Sequence, residues 1–576
     1  MSTKPVPDQA SGPSATVATI RPTDLKHWIG ALPYANRGAV LSSLNEELSL
    51  LNAVTVKPSV RFELLELHAG AYVRLLNSLI QQEGSGGVTA LKQHRAFAEA
   101  ARRLTMRVAD GYKLVVDGTA SKKSSLFANR RSDKAAIQRA ILFLCYSLNH
   151  HYDQYLPTEP RVWIELAKLY RLARERGAHD RSGSRSDHRR EFDKPISHLY
   201  KLALLTGLAD PYHHGPGEVW KMFEFLGECA DAAHLRPEPP SDGPESIFVI
   251  DPDGVERARP LEFEASGEVA KRYYLDTNPT SALLQKMRDE AEQGSRGAFP
   301  TARSKRQAVS ILNRVLRSLK EPAQRSNDRT PIATPVQLAV GIAATQRLIG
   351  GPVAGGAQAT FTAGTDVVAQ GAESKNEQVA VLKMIDPRSG GTVDIGVDAD
   401  TRKGGIGRKE DGGADASDEA SVMAIYGTEP WQVTNKSRRG IGIMRQDPPQ
   451  TLLCVGEIVS IATKKRAPAI GLVRWFTVDE AGIYRAGVEI IGKRADSVNL
   501  RAAEDEGNPG AARPALALPF FGADENVATL AAPPGTFSEK GVLIVESPGS
   551  DAQVRVQMKS LIDATPTCER FTYRVT

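Results

Sequence analysis

Two small groups of residues in this sequence have side chains that suit the binding of anionic and polar groups. One is a pair of arginines, Arg325 and Arg329, here called the arginine pair. The other, here called the Asn435 motif, combines Asn435, Ser437 and Gly440. A guanidinium offers permanent charge and a planar fork of donors, an amide both donates and accepts, and glycine permits a positive φ or a close backbone approach. These residue types indicate binding rather than catalysis.

Arg438 and Arg439 lie inside the Asn435 motif and are further candidates for contact with the same ligand. Simpler interpretations stay open. The arginine pair would then be surface residues of a linker, and Asn435 and Ser437 would cap a turn.

The sequence contains no pattern typical of a catalytic or metal site. It has no GxxxxGK[ST] phosphate loop, no HExxH and no GxSxG. The adjacent histidines at 150–151 and 213–214 do not share a helix face, so they are poor metal chelators. We therefore predict a protein that is not an enzyme, with no catalytic residues, no metal and no cofactor. An enzyme with its site in the helical half is a minor alternative.

Short strand-like segments surround the two groups, at a spacing typical of a small antiparallel barrel. They cover residues 335–342, 431–443, 455–460, 470–475 and 484–490. The arginine pair comes just before the first of these segments, and the Asn435 motif lies within the second.

This arrangement resembles the PilZ domain family. That family carries RxxxR before the first barrel strand and [D/N]xSxxG between the next strands, which the arginine pair and the Asn435 motif match. Residues 471–475 and 487–489 are similar to later GxVxW-like and GVE-like segments of the family. The resemblance covers about 321–349 and 428–500, and the chain departs from the family in the long insertion between the two motifs.

The resemblance implies that the chain binds cyclic di-GMP, a guanine dinucleotide second messenger of bacteria. Guanine presents N7 and O6 acceptors that a guanidinium can meet bidentately, and the two phosphates suit fixed positive charge. The implied ligand residues are Arg325, Arg329, Asn435, Ser437 and Gly440, with Arg438 and Arg439 as additional candidates. The resemblance also suggests an output in type IV pilus, motility or biofilm control. An alternative is a degenerate adaptor that binds protein partners and no nucleotide.

The predicted fold class is multidomain α + β. A helical bundle comes first, followed by a PilZ-like antiparallel β-barrel with a long flexible insertion and by a small C-terminal β domain. The predicted ranges are 1–20 for a disordered tail, 21–236 for the bundle, 237–320 for a linker and α/β connecting region, 321–505 for the barrel and 506–576 for the C-terminal domain. Strands near 246–263 are candidates to complete the last domain.

Periodicity and composition support this division. The steps of three and four that place residues on one helix face recur at Phe62, Leu65, Ala69, Tyr72, Leu76 and Leu79. Residues 350–427 hold 15 of the 49 glycines and few aromatic side chains, so we predict a flexible insertion there.

Charge and apolar content narrow the class of partner. The 73 basic and 68 acidic residues give a net charge of +5, an excess too small to demand nucleic acid or an anionic membrane. No apolar run is long enough for a membrane span, the N-terminus lacks the features of a signal peptide, and the four cysteines are far apart. We expect a cytoplasmic protein whose helical half binds a protein partner.

Overall fold

A computed structural model of the protein divides the chain into two compact units, Met1–Gln324 (the N-terminal unit) and Arg325–Thr576 (the C-terminal unit). The described residues are 20–81, 88–120, 128–180, 190–238, 245–255, 258–261, 272–294, 302–320, 329–350, 427–451, 453–463, 466–503, 512–519, 528–548 and 553–576. Arg325 lies outside them, and so does almost all of the predicted tail and of the predicted insertion.

Helices make up the first part of the N-terminal unit. They are α1 (Pro22–Gly30), α2 (Arg37–Ala53), α3 (Pro58–Gln81), α4 (Val88–Ala120), α5 (Ala128–Asp153), α6 (Pro160–Glu175), α7 (Ile196–Leu208) and α8 (Glu218–Cys229). Local chemistry explains where several of these helices begin. Pro58 and Pro160 begin α3 and α6, where a missing N–H costs nothing, and Asn36 Oδ1 accepts the Ala39 N–H at 3.1 Å to cap α2.

The central helix of this bundle is α5. Every residue of α5 from Ala135 to Asp153 is buried, and the helix packs against α3, α4, α6, α7 and α8. A helix that is covered all round lies inside the core, and each large apolar side chain buried there contributes about 1.5–3 kcal/mol. The predicted α3 face is confirmed at Leu65, Ala69, Tyr72 and Leu76, which are buried, while Phe62 of the same face is half-buried against the core.

A small antiparallel sheet and two further helices complete the N-terminal unit. These elements are β1 (His234–Arg236), β2 (Ile247–Ile250), β3 (Arg259–Pro260), β4 (Tyr273–Asp276), α9 (Asn278–Gln293) and α10 (Ala302–Lys320). The strand order is β1-β4-β2-β3. Phe248 and Ile250 of β2, together with Ile311 and Leu312 of α10, belong to the same hydrophobic core as α5.

This packing differs from two expectations. Residues 237–320 were predicted to be a linker and connecting region. The strands and helices that the structure describes there instead bury their apolar faces in the core of the N-terminal unit. The suggestion that strands near 246–263 complete the C-terminal β domain is wrong, since β2 pairs with β3 and β4 instead.

The C-terminal unit begins with the predicted antiparallel barrel. Its elements are β5 (Thr330–Val340), α11 (Ile342–Gly350), β6 (Thr428–Lys436), β7 (Gly440–Arg445), β8 (Ile458–Thr463), β9 (Arg466–Val478) and β10 (Tyr484–Gly492). The strands close in the order β10-β7-β6-β5-β8-β9. The apolar side chains of these strands are buried, among them Val433, Ile443, Val459 and Ala486, as expected where side chains fill a small barrel.

A second closed barrel follows. It consists of β11 (Asp496–Ala502), β12 (Arg513–Leu518), β13 (Thr529–Ala532), β14 (Val542–Glu546), β15 (Gln553–Ala564) and β16 (Glu569–Val575), in the order β11-β12-β13-β16-β15-β14. The second barrel therefore starts at Asp496, because β11 pairs with β12 and β14. The sequence analysis had expected the C-terminal domain to start later, at residue 506.

The two barrels share an apolar contact, and α11, a helix that the sequence analysis did not predict, lies at it. Ile342 of α11 joins a buried cluster with Ile470 of the first barrel and Leu516 of the second. Gln346 Nε2 donates to the carbonyls of Val498 and Ala515, both at 2.8 Å. The helix thus links strands of both barrels.

Neither a membrane span nor a metal cluster is found in the described part of the chain. No helix there is both long enough and apolar enough to cross a bilayer. Nor do three or more histidine, cysteine or acidic side chains in those ranges come together as metal ligands.

Candidate functional site

The barrel brings the start of β5 beside the end of β6. The two strands are antiparallel, with Thr330 opposite Lys436 and Pro331 opposite Asn435. Arg329, which directly precedes β5 and is exposed, therefore lies near the turn that follows Lys436. The barrel thus places Arg329 and the Asn435 motif at the same end, although Asn435 comes 106 positions after Arg329 in the sequence. The position of Arg325 is not described.

Arg438 and Arg439 are the two central residues of the hairpin turn between β6 and β7. The Ser437 N–H donates to the Gly440 carbonyl at 2.8 Å, and the Ser437 hydroxyl donates to the same oxygen at 3.2 Å. Ser437 therefore does stabilise a turn, as the simpler interpretation expected. The same turn leaves Arg438 and Arg439 exposed.

Gly440 is needed for a close backbone approach rather than for a positive φ. Its φ lies outside the left-handed region, and a Cβ built on it would lie 3.0 Å from the Val488 carbonyl oxygen of β10. In the strand register Gly440 faces Glu489. A side chain at this position would push β10 away from β7.

Asn435 owes its orientation to a second glycine, Gly442, which the sequence analysis did not single out. The Asn435 amide donates to Thr434 Oγ1 at 3.1 Å, and that hydroxyl donates to the Gly442 carbonyl at 3.2 Å. A Cβ on Gly442 would lie 2.6 Å from Asn435 Nδ2, so the amide occupies the space of the missing side chain. The available signal was a glycine inside a strand pattern, which often marks a close approach.

Trp475 lies over Gly487 in the same way. Gly487 is opposite Gly442 on β7 and opposite Trp475 on β9, and a Cβ on Gly487 would overlap the indole nitrogen. Residues paired across antiparallel strands share a face of the sheet. Asn435, Gly442, Gly487 and Trp475 therefore form one lateral row over β6, β7, β10 and β9, here called the glycine row.

The glycine row is on the outside of the barrel. The neighbours of its two glycines along the strands, Ile441, Ile443, Ala486 and Val488, are all buried and so face the interior. Side chains alternate along a strand, so the glycines face outward. Both glycines are themselves buried, because the Asn435 amide and the half-buried Trp475 indole lie over them and cover this part of the outer face.

Positive charge is concentrated at the hairpin end of this surface. Arg329, Lys436, Arg438 and Arg439 are here called the hairpin patch. Among the described residues, the first three have no acidic side chain within ion-pair distance, whereas Arg445 and Arg485 of the same barrel are paired with Glu429 and Asp479. Lys436 was not predicted as a site residue, and its register opposite Thr330 is what brings it to the patch.

Arg474 of β9 is held between two carboxylates, one of which belongs to Glu489, the residue opposite Gly440. Its Nε donates to Glu489 Oε2 at 2.5 Å, and its Nη2 donates to Asp563 Oδ1 of the second barrel at 2.9 Å. Burial opposes the charge on Arg474, but Asp563 and Glu489 outweigh that effect and raise its pKa. Arg474 is therefore engaged in the contact between the barrels, unlike Arg329, Lys436 and Arg438, which have no ion pair among the described residues.

Two family models match the chain. The model for "Cyclic-di-GMP receptor FimW, N-terminal domain" matches residues 23–240, and that for "Cyclic-di-GMP receptor FimW, middle PilZ domain" matches residues 247–496. A curated relative, the cyclic-di-GMP receptor FimW of Pseudomonas aeruginosa, is 23% identical over 566 residues, which cover 96% of this chain and 90% of the relative. No solved structure matches the chain.

The middle-domain match ends at residue 496, where the second barrel begins, so it includes the whole of the first barrel. The two matched ranges together span more than half of the chain. With its six strands closed into a barrel and Arg329 beside the Asn435 motif at one end of it, the chain belongs to the PilZ-domain family of cyclic-di-GMP receptors.

Proposed function

We propose that this protein binds cyclic di-GMP at the hairpin end of its first barrel and passes the signal, without catalysis, to a protein output. The observation that carries the proposal is the juxtaposition of the hairpin patch with the glycine row. The cationic side chains of Arg329, Lys436 and Arg438, which have no ion-pair partner among the described residues, thereby lie beside an outer face that carries the Asn435 amide and the Trp475 ring. The name of the Pseudomonas aeruginosa relative, cyclic-di-GMP receptor, supports the same ligand.

The chemistry of the ligand fits this surface. Its phosphates suit the guanidinium groups of Arg329 and Arg438, which make charge-assisted hydrogen bonds. Its guanines offer O6 and N7 to a guanidinium fork, and an aromatic face such as the Trp475 indole offers a stacking surface worth about 1–3 kcal/mol per base. Asn435 provides an amide that both donates and accepts.

Arg325 and Arg329 would act together in this proposal. Arg329 directly precedes β5 and so has a defined place beside the hairpin, while Arg325 comes four residues earlier in the sequence. We infer that both arginines hold the ligand against the Asn435 motif, with Ser437 shaping the turn and Gly440 allowing the approach of β10.

The output is a protein rather than a reaction product. Regulation of type IV pili, motility or biofilm formation is what the family resemblance suggests, and we propose an output of this kind through the helical N-terminal unit. We place the receptor in the bacterial cytoplasm. The four buried free cysteines support a reducing compartment.

A degenerate adaptor is the second candidate. Ser437 and the Asn435 amide both make local hydrogen bonds that stabilise the hairpin without any ligand. A barrel of this kind would keep its shape and bind protein partners while binding no nucleotide.

Calorimetric titration of the full chain with cyclic di-GMP distinguishes a receptor from an adaptor. Cyclic di-AMP is the matched control, because it has the same phosphates but an amino group where guanine has O6. A receptor binds cyclic di-GMP at least ~100-fold more tightly than cyclic di-AMP, since a site built for O6 leaves its donors unpaired on adenine. An adaptor shows no heat with either nucleotide, and equal affinity for both would mean that only the phosphates are recognised.

A further inference from the structure

The N-terminal unit contains a cavity of about 240 Å³ that has no part in the proposed nucleotide site. Its walls come from the end of α5, from α6 and α7, from a short 3-10 helix at Pro211–His213 and from the turn after β2. The residues that matter here are Tyr152, Trp163, Tyr212, Asp210 and Asp251.

Aromatic rings form the inner surface of the cavity, and their positions are defined by local contacts. Tyr152 and Tyr212 pack edge to face, with ring centroids 5.5 Å apart. Trp163 Nε1 donates to Thr158 Oγ1 at 3.2 Å, and a Cβ on Gly207 of α7 would lie 3.1 Å from the indole ring. The rings are therefore held in place before anything binds.

The ionised groups of this lining are acidic. The described lining residues include Asp210 and Asp251 but no lysine or arginine. Both oxygens of Asp251 accept backbone N–H groups, from Asp253 at 2.9 Å and Val255 at 2.8 Å. Burial lowers the pKa of His213, so this histidine is neutral at pH 7 and adds no positive charge.

Asp210 is the available charge of the cavity. It is exposed, its φ is 48°, and its carboxylate accepts a hydrogen bond from Ser318 Oγ at 3.0 Å. Within the described residues no cationic side chain lies at ion-pair distance from it. A non-glycine residue in the left-handed region is strained, and such strain is found at binding and switch sites.

We propose that this cavity binds one arginine or lysine side chain of a protein partner. The volume is below the roughly 300–1,000 Å³ of sites for whole small molecules, so it suits a single long side chain. Aromatic faces attract a cation, the aliphatic stem of the side chain covers apolar surface, and Asp210 supplies the opposite charge. Val255, which is 69% exposed, lies close in sequence to the lining residue Asp251 and offers an apolar contact outside the cavity.

Residues of the cavity wall also contact α10, the helix that precedes the arginine pair in the sequence. Ser318 contacts Asp210, and Arg314 Nη1 donates to the His213 carbonyl at 3.3 Å. Arg314 is fixed in turn by a 2.6 Å ion pair with Glu218, whose side chain is fully buried. A partner side chain that moves the 3-10 helix therefore acts first on α10, which ends five residues before Arg325 in the sequence.

This inference rests on the proposed protein output, but its test needs no nucleotide, so the two can fail separately. The probe is acetyl-Gly-Arg-Gly-amide, titrated into the full chain labelled with 5-fluorotryptophan. The fluorine resonance of Trp163 is assigned with Trp163→Phe. The same peptide with citrulline, which keeps the shape and loses the charge, is the matched control.

We expect a saturable shift of the Trp163 resonance with the arginine peptide and an affinity about tenfold lower for the citrulline peptide. The substitution Asp210→Asn should lower the affinity for the arginine peptide by a similar factor. Asparagine tolerates the left-handed conformation, so this variant should fold normally, as thermal unfolding will show. Asp253→Asn, a nearby exposed carboxylate paired with Arg171, should bind like the unaltered chain.

An unmoved Trp163 resonance would overturn the proposal. Equal affinity for the arginine and citrulline peptides would overturn it too, because the cavity would then recognise shape and not charge. Unchanged affinity in a folded Asp210→Asn variant would have the same consequence.

Discussion

Arg474 of the first barrel donates a hydrogen bond to Asp563 of the second barrel, across 2.9 Å. Asp563 also accepts from Arg570 at 2.7 Å, and Arg474 also contacts Glu489, which faces Gly440 in the strand register. The second barrel is thus connected by one side chain to the strand that supports the Asn435 motif. This relationship makes the second barrel a part of the structure that positions the candidate site.

Replacing Arg474 by alanine should destabilise the C-terminal unit by about 1–2 kcal/mol. The loss leaves the Asp563 carboxylate with one charged partner instead of two, and the 40% exposure of the Arg474 side chain limits the effect. Urea unfolding measures the change. Arg485→Ala, which breaks a surface pair with Asp479 inside the first barrel, is the control and should cost less than about 1 kcal/mol. Equal effects of the two variants would show that the barrel contact has no special role.

Arg325→Ala and Arg329→Ala should each weaken cyclic di-GMP binding by about ten- to a hundredfold, because each removes a charge-assisted contact worth about 1.5–3 kcal/mol. Isothermal titration calorimetry gives the affinities. Arg513→Ala removes an exposed arginine from the start of β12 and should bind like the unaltered chain. If both variants of the arginine pair keep full affinity, Arg438 and Arg439 carry the role or the protein is an adaptor.

Gly442→Ala should weaken cyclic di-GMP binding by about tenfold while changing the free energy of unfolding by less than about 1 kcal/mol. The new Cβ would displace the Asn435 amide, which is the movable end of a side chain, so the barrel itself need not shift. Calorimetry and thermal unfolding together test this separation. Gly38→Ala in α2, where a Cβ meets only Asn36 Oδ1 at 3.7 Å, is the control. Unchanged affinity in Gly442→Ala would remove Asn435 from the proposed ligand contacts.

The stability of the C-terminal unit should fall as the pH rises from about 4.5 to about 7, because of Glu457. Burial raises the pKa of this carboxyl to about 7, against an opposing effect of hydrogen bonds from Cys454 and Thr567. The folded state therefore binds the proton more tightly than the unfolded state, so the contribution is fully present below about pH 4.5, is lost progressively as the pH rises to about 7, and is absent above that pH.

Glu457→Gln should abolish this part of the pH dependence, which is on the order of 3 kcal/mol between pH 4.5 and 8. Urea unfolding at a series of pH values gives the difference between the variant and the unaltered chain. Glu480→Gln, on an exposed turn, should leave the pH profile unchanged. If the free energy of unfolding changes with pH in the same way for Glu457→Gln and the unaltered chain, Glu457 is not the source of this pH dependence.

Cyclic di-GMP should raise hydrogen-exchange protection at 321–335 and 431–442, with a smaller change in α10 or elsewhere in the helical part. Ordering of the arginine pair on the ligand would restrain the segment that follows α10, and α10 is anchored by the Arg314–Glu218 pair. Exchange with cyclic di-AMP is the control. A change confined to the two motifs would mean that readout requires a partner that recognises the liganded barrel directly.

Local sequence patterns were sufficient to predict much of the fold. The apolar period of α3 identified residues of its buried face. The alternation around the Asn435 motif predicted the strands of an antiparallel barrel. These features follow from repeats of 3.6 and 2 residues within one element, which the sequence displays directly.

Other features depend on which distant segments pair, and local periodicity does not contain that information. The membership of β11 in the second barrel, the sheet formed by β2 and β4, and the helix α11 between the barrels are of this kind. Each depends on apolar surface that is covered by an element far away in the sequence. The local pattern can show that a face must be buried, but not against what.

The candidate site shows the same division. The residue types and spacings of the arginine pair and the Asn435 motif, with their resemblance to one family, were enough to predict a ligand and seven candidate residues. Tertiary structure alone placed Gly442 and Gly487 side by side, laid Asn435 and Trp475 over them and brought Lys436 to the hairpin patch. The physical reason is strand register: the sequence determines which side chains are available, whereas the pairing of separate strands determines which of them meet on one face.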